Sequence, residues 1–176
     1  MTKSRLLGTV VFILVLLAIF LALPWLSPVR GVERAWGKLI DGVADNDFKD
    51  VTSVVALDYK DGWGLTRDEV IVLAQTVRRH FIVCSIDRHP HKVELSEDRH
   101  TATVRSVIRV NGSGSPVAQA IIQVSGQTQA ETTFEWRRGS WKPWDWKLTS
   151  VANPEADQGV KMLQAEAAKA PQGIEL

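Results

Sequence analysis

The chain has 176 residues, 45% of them apolar and 23% charged, an ordinary globular composition with room for one domain. That excludes a disordered or collagen-like chain, and the single cysteine, Cys84, excludes a disulfide scaffold. Lys and Arg number 21 against 20 Asp and Glu; without Lys3 and Arg5, residues 27–176 carry a net −1, so there is no whole-domain basic field and no nucleic-acid partner is expected.

After a short tail, residues 1–5, the run from Leu6 to Leu26 contains no charge and is interrupted only by Gly8, Thr9 and Pro24. At roughly 1.5 Å per residue such a helix reaches about 30 Å, the thickness of a bilayer core. It is longer than a signal-peptide core, and Phe20 spoils the −3 position for cleavage after Ala22, so the expectation is an uncleaved single-pass anchor over residues 6–26. Trp25 suits the interface at its end. Arg30, Arg34 and Lys38 lie beyond the span and compete with Lys3 and Arg5 in setting orientation. The short N-terminal tail favours a domain outside the cytoplasm, periplasmic or at the cell surface.

Ser27-Pro28 opens a helix, with Pro at the position where a missing N–H costs nothing. Val29, Val32, Trp36, Leu39, Ile40 and Val43 recur at helical spacing and give it an apolar stripe. Asp45-Asn46-Asp47 ends it and caps a short second helix through Phe48, Val51, Val54 and Val55. Asp61-Gly62-Trp63-Gly64 reads as a turn. Thr66-Arg67-Asp68-Glu69 is a capping box and starts a third helix, whose predicted buried stripe is Val70, Leu73, Ala74, Val77 and Phe81.

From Ile82 the period changes to two. One or two strands are predicted over Ile82–Leu95, interrupted by His89-Pro90-His91. Another carries Ala102, Val104, Ser106, Ile108 and Val110 on one face, followed by a turn over Asn111–Ser115. A strand through Ala118, Ala120, Ile122 and Val124 is expected next, then a turn at Ser125-Gly126. Thr132, Phe134 and Trp136 alternate in the following strand, and Trp144, Trp146 and Leu148 in the last. The predicted fold is α+β: three helices on a curved antiparallel sheet of four to six strands, over residues 27–153, preceded by one transmembrane helix. Residues 154–176 form a polar tail.

This order of elements, ending in Trp144-Asp145-Trp146-Lys147-Leu148, resembles the nuclear transport factor 2-like superfamily, also called the cystatin-like cone. Leu57-Asp58-Tyr59-Lys60-Asp61-Gly62 followed by Leu65-Thr66-Arg67-Asp68-Glu69 is similar to that family's acidic stretch, glycine and capped third helix. The resemblance covers roughly residues 30–152 and implies a cone-shaped sheet with an apolar pocket, used by different members for isomerisation, cyclisation, dehydration, ligand binding or protein docking. The layout of an N-terminal span before such a domain also resembles the bitopic assembly factors of type IV secretion systems.

No C-x-x-C, H-E-x-x-H, phosphate-binding loop, G-x-G-x-x-G or G-x-S-x-G motif is present. The resemblance implies pocket-mouth carboxylates near Asp58 and Asp61, where an Asp beside Tyr59 could remove a proton. The competing reading makes both Asp residues turn formers and Tyr59 a core residue. His89 and His91 have the spacing to share one side of a strand and hold a metal, but Pro90 disturbs that alignment. No metal and no cofactor are expected.

Trp136, Trp141, Trp144 and Trp146 crowd into eleven residues. In strand register, Trp136, Trp144 and Trp146 point into the cone with Phe134, Ile108 and Ile122, facing Trp36, Leu73 and Val77. Tyr59 would stand at the rim of any residual pocket. Trp141 falls on a turn and is expected to be exposed. If the indoles fill the cone, the sheet's outer face, with Arg105, Arg109, Gln119, Gln123 and Glu135, becomes the docking surface. The functional expectation is a membrane-anchored, non-catalytic binding or scaffolding module that docks a protein partner or a second copy of itself. The alternative is a binder of a small apolar ligand, or an isomerase- or cyclase-type enzyme with a pocket carboxylate.

Overall fold

The structure, a computed structural model, describes residues 12–13, 27–88 and 91–155. Apart from Phe12 and Ile13, the predicted anchor at residues 6–26 lies outside the described residues, as do His89 and the tail from residue 156. Among the described residues no helix is long and apolar enough to cross a membrane.

Helix α1, Pro28–Ala44, begins where Ser27-Pro28 predicts; Ser27 is extended but its side chain makes no capping bond, so Pro28 carries the start signal. The stripe Val32, Ala35, Trp36, Leu39 and Ile40 is buried. Asn46 turns the chain in the left-handed region, at φ 62, a conformation that Asn tolerates better than most residues. Asp47 then caps α2, Phe48–Val54, by accepting from the Asp50 amide at 3.2 Å. Helix α3, Arg67–Arg79, starts at the predicted box, where the Glu69 carboxylate accepts from both the amide and the hydroxyl of Thr66 (2.8 and 2.7 Å).

The next four strands form one long hairpin bent in the middle. Strand β1, Phe81–Asp87, pairs with β4, Arg109–Gly114, while β2, His91–Leu95, pairs with β3, Thr101–Ser106. The predicted strand through Ala102–Val110 is therefore two strands, broken at Val107-Ile108, in two sheets. One sheet has the order β1–β4 and the other β2–β3–β5–β6, with β5 at Thr132–Arg138 and β6 at Trp146–Ala152, all antiparallel. The predicted turn at Asn111–Ser115 is mostly strand β4. Gly112 and Gly114 lie so close to the Val83 and His80 carbonyls that a Cβ would collide with them.

The segment predicted as a strand through Ala118–Val124 is a helix, α4, Pro116–Gln127. Its N-cap is Ser115, whose side chain accepts from the Ala118 amide, and Pro116 follows. This is the same start signal as at Ser27-Pro28. Ala118, Ile121, Ile122 and Ser125 share a face at helical spacing, and the Ser125 hydroxyl bonds the amide and carbonyl of Val110 (3.1 and 3.3 Å), seating α4 on β4.

The core lies between α1, α2 and the four-stranded sheet. Trp36, Trp136, Trp146 and Val104 are at most 2% exposed, and Trp36 meets Phe134 edge to face at 6.3 Å. The free edge of β6 is covered by the chain after α2: the amides of Ala56, Lys60 and Gly62 donate to the carbonyls of Leu148, Thr149 and Val151. That pairing places the loop carrying Tyr59 and Asp61 beside the sheet.

Candidate functional site

The helices and the sheet do not close on each other completely. A cavity of about 310 Å³ lies under α3, bounded by α1, α2 and the inner face of β5 and β6. Its body is aliphatic and aromatic, built from Leu39, Ile40, Val51, Val55, Phe134 and Leu148 together with Ile86 and Ile108 from the bent hairpin. Val70, Ile71 and Ala74 of α3 form its roof. α3 buries no residue fully.

Tyr59, Thr132 and Asn153 also line the cavity, with Trp63 beside them. Asn153 donates from Nδ2 to the Thr132 hydroxyl at 2.8 Å, and its Oδ1 accepts from the Glu155 amide at 2.8 Å, which fixes the orientation of the side-chain amide. Tyr59 donates from its hydroxyl to Asp61 Oδ2 at 3.2 Å. Burial first, then the charge of Asp61 and this hydrogen bond, raise the Tyr59 phenol far above its ordinary value, so it stays neutral.

Of the three carboxylate-segment candidates, only Tyr59 lines the cavity. Asp61 is buried, but its Oδ1 accepts from the Trp63 and Leu65 amides at 3.0 and 2.8 Å, and its Oδ2 accepts from Tyr59. Such a carboxylate closes a turn, and its lone pairs are engaged by groups it must keep. Asp58 stands outside the cavity on the sheet's outer side, where both oxygens accept from Arg137 Nη2 (2.7 and 2.9 Å). That guanidinium holds the Asp58 carboxyl below the usual carboxylate range. Among the described residues that line the cavity there is no carboxylate, histidine, lysine, arginine or cysteine.

The predicted pocket residues separate into four groups. Tyr59 and Phe134 line the cavity, whereas Trp36, Trp136 and Trp146 are sealed in the core beside it. Leu73 and Val77 are half-buried on α3 and do not border the cavity. Trp144, predicted to face inward from the last strand, precedes β6 in a turn and is 48% exposed, while Trp141 is 83% exposed as predicted for a turn. Ile122, expected beside them, sits on α4.

The five predicted docking residues do not share a face. Arg105 and Glu135 lie on the outer side of the four-stranded sheet, Arg109 belongs to β4 in the other sheet, and Gln119 and Gln123 are on α4 because that segment is helical. His91 opens β2 opposite Ser106; His89 lies outside the described residues. Among the described residues no group of three or more His, Cys, Asp or Glu is placed to hold a metal.

Sequence reasoning overlooked Trp63, Thr132 and Asn153 as site residues. A tryptophan between two glycines in a turn is a usable signal, since a large apolar side chain there needs a packing surface. Nothing in the local sequence marks Thr132 or Asn153.

No family model and no curated protein matches the chain. Solved structures do match its architecture. A candidate dehydratase of the NTF2-like family from Streptomyces avermitilis superposes with a TM-score of 0.52 at 17% identity, over 70% of this chain and 93% of that one. The hexachlorocyclohexane dehydrochlorinase LinA-type3 from Novosphingobium barchaimii gives 0.51 at 14% identity, over 70% and 82%. Bd1075 from Bdellovibrio bacteriovorus gives 0.52 at 6% identity over 69% of this chain, which spans only 38% of that protein. The domain has an NTF2-like fold. At these identities the likeness is one of fold.

Proposed function

We propose that the protein is a membrane-tethered binding module that takes a small apolar molecule into the cavity under α3. The cavity carries this reading: an apolar body of about 310 Å³ whose lining includes Tyr59, Thr132 and Asn153, at the lower end of the roughly 300–1,000 Å³ usual for small-molecule sites. The likeness to a dehydrochlorinase is one of fold, and the lining offers no group that would take up or release a proton near neutral pH, which favours binding over turnover. The charge-free run at residues 6–26 supplies the tether, with the domain outside the cytoplasm.

The test is a thermal-shift titration of the full chain with small aromatic and alicyclic compounds. A saturable rise in Tm is expected for wild type, and its loss in Ala74→Phe, which fills the cavity from α3. Equal shifts in both proteins, or none in wild type across the set, overturn the reading. The tether is tested by an alkaline carbonate wash of membranes, which should leave the chain in the pellet.

A further inference from the structure

We propose that the loop over residues 139–145 and the outward face of α1 form a lipid-docking surface, which lays the domain against the anionic headgroups of the bilayer holding residues 6–26. This inference rests on the tether proposed above and deepens it, from a domain hung on a strand of chain to a domain held in one orientation.

The first argument is position. Only Ser27 separates Leu26, the last residue of the apolar run, from the first residue of α1. Consecutive Cα atoms lie about 3.8 Å apart, so the first turn of α1 is held within about 10 Å of the end of that run. The loop packs on this same turn. A Cβ at Gly31 would press against the Pro143 carbonyl and the Trp146 indole, so glycine is what lets the loop approach. Trp146 Nε1 donates to the Pro143 carbonyl at 3.0 Å and fixes the loop's shape. Whatever the loop displays is thereby displayed next to the membrane end of the domain.

The second argument is what it displays. Trp141 is 83% exposed and Trp144 48% exposed, with Lys142 between them. The neighbouring indoles of Trp136 and Trp146 are 1% exposed, so the fold buries tryptophan readily where it has a partner surface. Indoles with an apolar body and one N–H are at home in the headgroup layer.

The third argument is charge. A groove of about 490 Å³ runs between the loop and α1, and its lining includes Arg34, Lys38, Lys142 and Lys147 with Asp145 as the sole carboxylate. The lining itself carries four cations against one carboxylate, with Asp50 3.0 Å from Lys38 and Asp145 3.1 Å from Lys147. The adjoining groove shares Arg34 and Lys38 and adds Arg30 and Arg88 against Glu33 and Asp41, so the basic excess continues along α1. Exposed indoles beside Lys and Arg at the end of an apolar span match the chemistry of an anionic lipid surface.

The test uses the full chain in vesicles of phosphatidylcholine, alone or mixed with phosphatidylglycerol, containing lipids brominated near the headgroup end of the acyl chains. Tryptophan quenching is compared between wild type and W141F/W144F. In mixed vesicles the double variant should lose most of the quenching that does not come from Trp25, and Arg34→Gln with Lys142→Gln should lose the same part while retaining both indoles. Quenching that is equal in wild type and W141F/W144F, with the chain still resistant to carbonate, overturns the docking surface and leaves the tether standing. Release by carbonate overturns the tether first. Equal quenching in the two lipid mixtures overturns recognition of anionic headgroups.

Discussion

The bent hairpin runs through two environments with one kind of sequence. Its β2–β3 half joins β5 and β6 beneath α1, and Ala102, Val104 and Ser106 fall to 4, 0 and 1% exposure. Among the described residues its β1–β4 half pairs with no further strand, and Ile82 and Val83 remain 82 and 58% exposed although they are as apolar as Val104. Helix α4, seated on β4, buries only Ala118 fully. Alternation decides which side chains share a face, and the number of layers stacked on that face decides how far they leave water.

The widest contrast should appear on truncating one residue from each half. Trp136→Ala, in the fully packed half, is expected to cost about 3–5 kcal/mol, whereas Ile82→Ala should stay within about 0.5 kcal/mol of wild type. Urea unfolding of the full chain measures both, and similar losses would break the distinction between the halves. A smaller but more local effect is expected from Gly112→Ala. Gly112 sits at φ +142 with its missing Cβ directed at the Val83 carbonyl, so the cost should exceed about 1 kcal/mol. Hydrogen exchange should speed up in β1 and β4 while β3 and β5 keep their protection; uniform acceleration would mean that the two halves open as one unit.

The two Ser-Pro helix starts sharpen the comparison further. Ser115→Ala removes a side-chain cap and should cost about 1 kcal/mol, while Ser27→Ala removes none, because Ser27 makes no such bond. Equal Tm losses would contradict that assignment. The smallest effect is electrostatic. Arg137→Gln should let the Asp58 carboxyl, held low mainly by its hydrogen bond to Arg137, rise toward its ordinary value in an NMR titration. Because the folded value is depressed, the pair stabilises above the ordinary carboxylate range and that contribution fades as pH falls through the folded value. An Asp58 titration that does not move would remove Arg137 as the cause. Both partners are at least half exposed, so solvent screening keeps the accompanying change in stability slight.

The starts of α1, α2 and α3 were legible in Ser27-Pro28, Asp47 and Thr66–Glu69 because each signal lies within about one turn of the element it opens. The equivalent signal at Ser115-Pro116 was outweighed by the alternation of Ala118, Ala120, Ile122 and Val124, a pattern too short and too free of charge to separate period two from period 3.6. The site was legible only where core and cavity coincide, at Tyr59, Ile108 and Phe134. Trp63, Thr132 and Asn153 come from three segments that meet because the chain after α2 pairs with the edge of β6, a contact across roughly ninety residues of sequence that leaves no local trace.

Composition, periodicity and capping residues by themselves determined that this chain carries a charge-free run of membrane-spanning length, three helices and an antiparallel α+β domain, since those features follow from bonds and burial within a turn or a strand. Only the tertiary structure decided that the hairpin bends into two sheets, that Asp58 and Asp61 are spoken for by Arg137 and by backbone amides, and that three indoles seal the core while two face outward. Each of those outcomes depends on which distant surface arrives to cover a residue, and the free energy of burying or pairing a side chain has no value until that surface is in place.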